Sequence, residues 1–310
     1  MSEAQSPAQE VAAMMSRARA AQAQIADYTQ EQVDELITAM VYAVAREDRS
    51  EEIARFTVEE TQLGNYEGKY LKIHRKTRAT LMDIIDDKSV GVIEELPERN
   101  IVKIAKPVGV IGALSPSTNP EATPVIKAIS AVKGRNAIIV APHPRAKLTN
   151  KKICDYMREA LELCGAPADL VQSIDVPSLD KTNELMAQCD RVLATGGEAM
   201  VTAAYSSGTP ALGVGVGNAV ITVDDTADLD EAAEKIRISK TLDLAASCSS
   251  DNSVLVFESV YNELLEKLKH EGGFVIEGDD KAKLQSVIWE DDHLNAKIVA
   301  QHAQTICGQA

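Results

Sequence analysis

This sequence predicts an α/β protein built around a largely parallel sheet, and three observations support that class. The chain has 310 residues, 45% apolar and 25% charged, the balance of an ordinary globular protein with material for about two domains. Its front end carries helical spacing alone. From Arg99 onward, short β-branched runs alternate with amphipathic helical stretches, and strands joined through helices of that length run parallel.

Taken in order, residues 8–47 are rich in Ala and Gln at helical spacing, and residues 51–86 continue as helix with breaks expected near Gly64 and Gly68. Residues 90–106, VGVIEELPERNIVKIAK, read as two extended segments around a turn at Pro97 to Asn100, a hairpin able to protrude and pair with another chain. The strands VGVIGAL, NAIIVAP and RVLATG then alternate with the helices EATPVIKAISAVKG and KLTNKKICDYMREALELCG. Further on, TLDLAASCSSDNSVLVF (241–257) passes from a helical run to a strand-like one. No internal repeat or low-complexity linker marks a domain boundary.

The formal charge of −15 argues against nucleic-acid or anionic-membrane partners, because an acidic surface repels phosphate. No apolar run approaches the roughly 20 residues of a membrane span, and the opening MSEAQSPAQE is polar, so the cytosol is the expected compartment. The five cysteines form no C-x-x-C pair and are odd in number, which disfavours a disulfide framework or a zinc knuckle; no metal is expected.

Four stretches and one cysteine carry candidate chemistry. SPSTNP (115–120) follows a strand in the position where open α/β sheets bind ligands. Asn119 there is a natural N-cap with Pro120 at the first helical position, or it aims its amide at a reacting oxygen. APHPRAK (141–147) places His143, Arg145 and Lys147 in a proline-fixed loop, either a solvated basic turn or a contact for a dinucleotide phosphate or ribose. ATGGEAMV (194–201) runs from strand through paired glycines into a helix whose N-terminus suits a pyrophosphate. The glycines of GTPALGVGVGN (208–218) read first as tight turns. Cys154, Cys164, Cys189 and Cys307 read as packing residues, whereas Cys248 is set among Ser247, Ser249, Ser250 and Asp251.

In order and spacing, KPVGVIGALSPSTNP, APHPRAK, ATGGEAMVTAAYSSGTPALGVGVGN and SCSSDNSVLVF together resemble the CoA-acylating branch of the aldehyde dehydrogenase superfamily, over residues 10 to 310. The resemblance implies an aldehyde dehydrogenase-like fold, with a Rossmann-type cofactor domain and a partial α/β catalytic domain. It makes Cys248 the nucleophile, whose thiolate attacks an aldehyde to give a thiohemiacetal and, after hydride loss, a thioacyl-enzyme that passes its acyl group to CoA. The Asn119 amide and the Cys248 backbone N–H would stabilise the oxyanion. Cofactor contacts fall on Ser115, Pro116, His143, Pro144 and Arg145, on Thr195, Gly196 and Gly197 at the pyrophosphate, on Met200 and Val201 on the adenine side, and on Gly213 and Gly215. NAD is the expected cofactor, with NADP open because an arginine lies nearby.

Two departures from the superfamily pattern matter. Hydrolytic members carry a glutamate base in an E-L-G-G-K-type motif, and the matching stretch LGVGVGN puts Gly213 at that glutamate's place, which favours CoA over water as acyl acceptor. The chain also ends at AQHAQTICGQA, before the family's segment at the nicotinamide ribose, so the catalytic domain is expected to be partial. The expected organisation is a cofactor domain over 1–243, with the hairpin at about 90–106 serving homo-oligomer assembly, and a partial catalytic domain over 244–310. The active site is expected at the carboxyl ends of the strands, with Cys248 facing Asn119. Acetaldehyde and sulfoacetaldehyde are the candidate aldehydes, the serines around Cys248 favouring the sulfonate. A non-acylating dehydrogenase releasing the free acid, and a catalytically silent cofactor-binding fragment, are the alternatives.

Overall fold

The computed structural model describes residues 5–309, which form two compact units. The first takes the described residues up to Gln62 together with Lys69–Gly215; the second takes Leu63–Gly68 and the chain from Val216 onward.

The front end is helical, as expected: α1 (Pro7–Gln24), α2 (Gln30–Ala45), α3 (Glu47–Thr61), α4 (Tyr66–Lys72) and α5 (Arg78–Ile84). Capping boxes open the first two, with Ser6 and Gln9 at α1 and Thr29 and Gln32 at α2 exchanging side-chain and backbone hydrogen bonds. Of the two expected breaks only one exists. The chain turns at Gln62 and Gly64, both with positive φ, while Gly68 lies inside α4. A single π-helical turn, Ile73–Thr77, joins α4 to α5.

The hairpin is present as β1 (Gly91–Leu96) and β2 (Ile101–Ala105), paired antiparallel with Leu96 opposite Ile101. A 3₁₀ turn at Pro97–Arg99 and a left-handed Asn100 close it. Val92, Ile93, Ile101, Val102 and Ile104 stand exposed on it.

The first unit continues with β3 (Val110–Ser115), α6 (Thr123–Lys133), β4 (Ala137–Pro142), α7 (Lys147–Leu163), β5 (Val171–Ser173), α8 (Leu179–Gln188), β6 (Arg191–Thr195), α9 (Glu198–Ser206) and β7 (Ala211–Val214). The five strands form one parallel sheet in the order β5-β4-β3-β6-β7. Every residue of β3 and β4 is buried, which is why both read as unbroken apolar runs and not as alternating ones.

Two local expectations fail here. Asn119 and Pro120 do not open a helix: α6 starts at Thr123, behind Ala122, with Pro124 in its first turn, and residues 116–122 form a loop. The glycine-rich stretch after Gly208 is only partly a turn, because Ala211–Val214 pairs with β6 as the sheet's edge strand.

In the second unit β8 (Ala219–Val223) pairs parallel with β9 (Asp251–Val256), and α10 (Leu229–Thr241) connects them. Val223, Ala233, Ile236 and Leu264 form their core with α11 (Tyr261–His270). Then follow α12 (Gly278–Ile288), a small hairpin of β10 (Trp289–Glu290) and β11 (His293–Leu294), and α13 (Ala303–Cys307). The compact units part after Gly215. The reason is pairing: β8 bonds to β9 and not to the five-stranded sheet.

Candidate active site

From β3 the chain builds outward to β4 and β5, then returns to the other side of β3 to lay down β6 and β7. The reversal creates a topological switch point between β3 and β6, and open α/β sheets bind ligands outside the carboxyl ends of the strands at such a point. The 116–122 loop leaves β3 there, and Gly196 and Gly197 leave β6. Ser115 is the last residue of β3, in register with Pro142 of β4, and its carbonyl accepts the His143 N–H at 3.0 Å. Thr195 ends β6 opposite Val214 of β7. The sheet therefore brings Ser115, Pro116, His143, Pro144, Arg145, Thr195, Gly196, Gly197, Gly213 and Gly215 to one edge.

Several features of that edge could receive an anionic ligand. Gly197 is the N-cap of α9 and is exposed, and a Cβ placed on it would meet nothing within 4 Å. A phosphate can approach the first amides of α9 without a side chain in the way. Gly196 is tighter, its would-be Cβ lying 3.4 Å from Met200. The Ser115 hydroxyl is buried with no hydrogen-bond partner among the described residues, an orphaned polar atom at the switch point. In the β4 loop, desolvation of the ring and then Arg145 lower the His143 pKa, and His143 Nδ1 accepts the Arg145 N–H at 3.1 Å. Arg145 is not simply solvated: its guanidinium donates to the Thr61 carbonyl at 2.7 Å.

Four charged residues that the sequence did not single out lie beneath this edge. Lys127, on α6, donates to the carbonyls of Leu114 at 2.6 Å and Leu193 at 2.8 Å, joining β3 to β6 at the switch point. Burial lowers its pKa from 10.5 to about 7. A lysine depressed in the folded state takes up a proton on unfolding between those two values, so the unfolding free energy should rise as pH climbs from about 7 toward 10.5. Urea denaturation across that range should show the rise in the native sequence and a smaller one in Lys127→Met. Lys69 and Lys72 of α4 are fully buried beside Glu121. Lys69 Nζ donates to the Thr118 carbonyl and Lys72 Nζ to Asn119 Oδ1, each at 2.7 Å, so these lysines hold the loop that carries Asn119.

In the second unit, Cys248 is exposed on the short connection between α10 and β9, the junction expected from the sequence. The connection starts with three consecutive left-handed residues, Asp243, Leu244 and Ala245, at φ of 52°, 53° and 61°. For residues other than glycine this costs on the order of 1 kcal/mol or more each, so other contacts must hold it. Asp243 is one such contact: buried, it accepts the Asn65 N–H on Oδ1 at 2.9 Å. Gly64 and Gly68 permit the approach, since a Cβ on either would lie 1.9 Å from Asp243 Oδ1 and 2.4 Å from Asp243 Cβ, respectively. Beside the cysteine, the Ser247 and Ser249 hydroxyls are 2.9 Å apart, and the Ser250 hydroxyl is buried with no hydrogen-bond partner among the described residues. The other thiols differ. Burial pushes Cys154 up to about 12 and Cys189 up to about 11, and raises Cys164; Cys307 is exposed on α13.

The family model for the aldehyde dehydrogenases matches residues 2–292. The chain belongs to the aldehyde dehydrogenase family. It is 46% identical over 299 residues to a sulfoacetaldehyde dehydrogenase of an Acholeplasma species, covering 95% of this chain and 62% of that protein. It is 44% identical over 305 residues to an acylating sulfoacetaldehyde dehydrogenase of Bilophila wadsworthia, covering 97% of this chain and 66% of that one. Among solved structures, an acetylating aldehyde dehydrogenase from Geobacillus thermoglucosidasius superposes with a TM-score of 0.93 at 38% identity, over 98% of this chain and 67% of that chain. The chain thus spans just under two thirds of the length of these curated relatives.

Gly213 takes on meaning within the aldehyde dehydrogenase family. It sits in β7 opposite Ala194, and its N–H donates to the Tyr205 hydroxyl at 3.0 Å. A Cβ there would lie 2.7 Å from Val201 Cγ1 and 2.8 Å from Tyr205 Cε2, both on α9. The packing of α9 on β7 therefore leaves no room for a glutamate. Gly213→Glu should destabilise the fold by about 1–3 kcal/mol, the usual cost of overpacking, and should not create acid-forming turnover. Thermal melting with a CoA-free assay checks both.

Proposed function

We propose that the protein carrying this chain oxidises a short aldehyde to its acyl-CoA, using NAD or NADP, with Cys248 as nucleophile. The observation that carries the reading is the exposed Cys248 on a strained, anchored turn, whereas Cys154 and Cys189 are buried, Cys164 is half-buried and the exposed Cys307 lies on the helix α13. The Cys248 thiolate adds to the aldehyde carbon, and the carbonyl oxygen becomes an oxyanion stabilised by the Cys248 N–H and the Asn119 amide. The nicotinamide supplies the hydride acceptor. Ser115, Gly196, Gly197 and the first turn of α9 hold its pyrophosphate side, and the 143–145 loop its ribose. With glycine at position 213 no carboxylate base activates water there, so the thiol of CoA takes the acyl group.

Sulfoacetaldehyde is the aldehyde this reading favours. Two similar relatives carry that name, and the orphaned Ser250 hydroxyl beside Cys248 is a donor suited to a sulfonate oxygen. The apolar hairpin of β1 and β2 suits a homo-oligomer contact, and no described helix is long and apolar enough to cross a membrane.

NADH formation with sulfoacetaldehyde or acetaldehyde, each with and without CoA, tests the reading. Turnover that needs CoA and prefers sulfoacetaldehyde is the expected result. Equal rates without CoA would favour the acid-forming alternative, and no turnover with a folded protein the silent one.

A further inference from the structure

Lys69 and Lys72 stand three residues apart on α4, hence on neighbouring positions of one helix face. Their side chains are 0% and 1% exposed, and the Glu121 side chain is 0% exposed. Burying an ammonium costs several kcal/mol unless it is paired and hydrogen-bonded, so two on one short helix call for a purpose. The Glu121 carboxylate lies 3.6 Å from Lys69 Nζ and 3.7 Å from Lys72 Nζ, close enough to offset charge but beyond hydrogen-bond distance. Short bonds run instead to the Thr118 carbonyl from Lys69 and to Asn119 Oδ1 from Lys72, among others.

The chemistry of the second bond is directional. An ammonium has donors and no acceptor, so only the oxygen end of an amide can face it. Turning the Asn119 amide over would set its NH₂ against the NH₃⁺ of Lys72. With Oδ1 held, Nδ2 is the donating end, and one of its bonds runs to Thr118 Oγ1 at 3.2 Å. A charged donor on Oδ1 also polarises the amide and strengthens Nδ2 as a donor.

We propose that Lys72 is a positioning residue that fixes which end of the Asn119 amide donates, while Lys69 holds the preceding carbonyl and so the 116–122 loop. The inference rests on the oxyanion role of Asn119 and says how the fold prepares that amide. It assigns to α4, which no sequence motif marked, the pre-organisation of the donor.

The test is the side-chain amide signal of Asn119 in protein labelled with ¹⁵N-asparagine, identified by its loss in Asn119→Asp. The expected result is one slowly exchanging Nδ2 proton pair in the native sequence. In Lys72→Met, solvent exchange should accelerate about 10-fold or more. Lys69→Met, which removes a neighbouring buried ammonium but leaves the Asn119 contact, should change it far less. Lys72→Gln keeps a neutral donor, serves if Lys72→Met fails to fold, and should give an intermediate rate. A pair already averaged by flipping in the native sequence would overturn the proposal without any variant, and so would equal exchange in the native sequence and Lys72→Met. Altered exchange in Lys72→Met, with full turnover in Asn119→Ala, would support the orienting role of Lys72 and refute the oxyanion role of Asn119.

Discussion

Cys248→Ala should lower aldehyde-dependent NADH formation by at least about 10⁴-fold, while folding and dinucleotide binding persist. Removing a nucleophile whose covalent intermediate defines the pathway commonly costs this much or more. The buried cysteines cannot take its place. Cys154 and Cys189 are buried, with pKa values raised to about 12 and 11, so almost none of either is thiolate near neutral pH. Because Cys248 is itself exposed, alanine leaves no cavity, and the melting temperature should stay close to that of the native sequence. Cys307→Ser should leave turnover unchanged. Loss of activity accompanied by loss of folding would assign the cysteine a structural part instead.

Asn119→Ala should reduce kcat by about 10²- to 10³-fold with little change in the KM for aldehyde, which is the signature of a donor whose bond matters chiefly in the transition state. The same substitution removes one partner of a buried ammonium, so a moderate fall in stability is also expected. The two effects separate when turnover is expressed per folded molecule. A structural loss lowers the amount of folded enzyme at every concentration, whereas a lost oxyanion donor lowers the rate per folded molecule under saturation. Measuring kcat against the folded fraction, determined by circular dichroism, distinguishes them.

How far these residues could be read in advance depended on the range of the interaction that defines them. β3 and β4 were legible because burial on both faces writes an unbroken apolar run. β5, with three residues, and β7, interrupted by Gly213, are too short for a period to show, and their places come from pairing with β4 and β6. Asn119 followed by Pro120 is a local helix-start signal, and it misled because the two α4 lysines hold the loop in another shape. Those lysines, in YEGKYLK, look like the solvated face of a basic helix, and only tertiary packing buries them. Cys248 stood out through its polar neighbours. The left-handed run before it did not, since Leu244 and Ala245 are not residues that advertise positive φ. Gly64 and Gly68 look like helix breakers, but Gly68 lies within α4, and what both share is the close approach of Asp243.

The most direct measurement is to incubate the protein with aldehyde and NAD in the absence of CoA, digest it, and locate any acyl group by peptide mass spectrometry, before and after adding CoA. If the chain's chemistry is CoA acylation through a thioacyl-enzyme, the acyl mass appears on the peptide containing Cys248 and disappears on addition of CoA as acyl-CoA forms. An acyl group on any other residue, or one that leaves Cys248 equally fast in buffer without CoA, would contradict it.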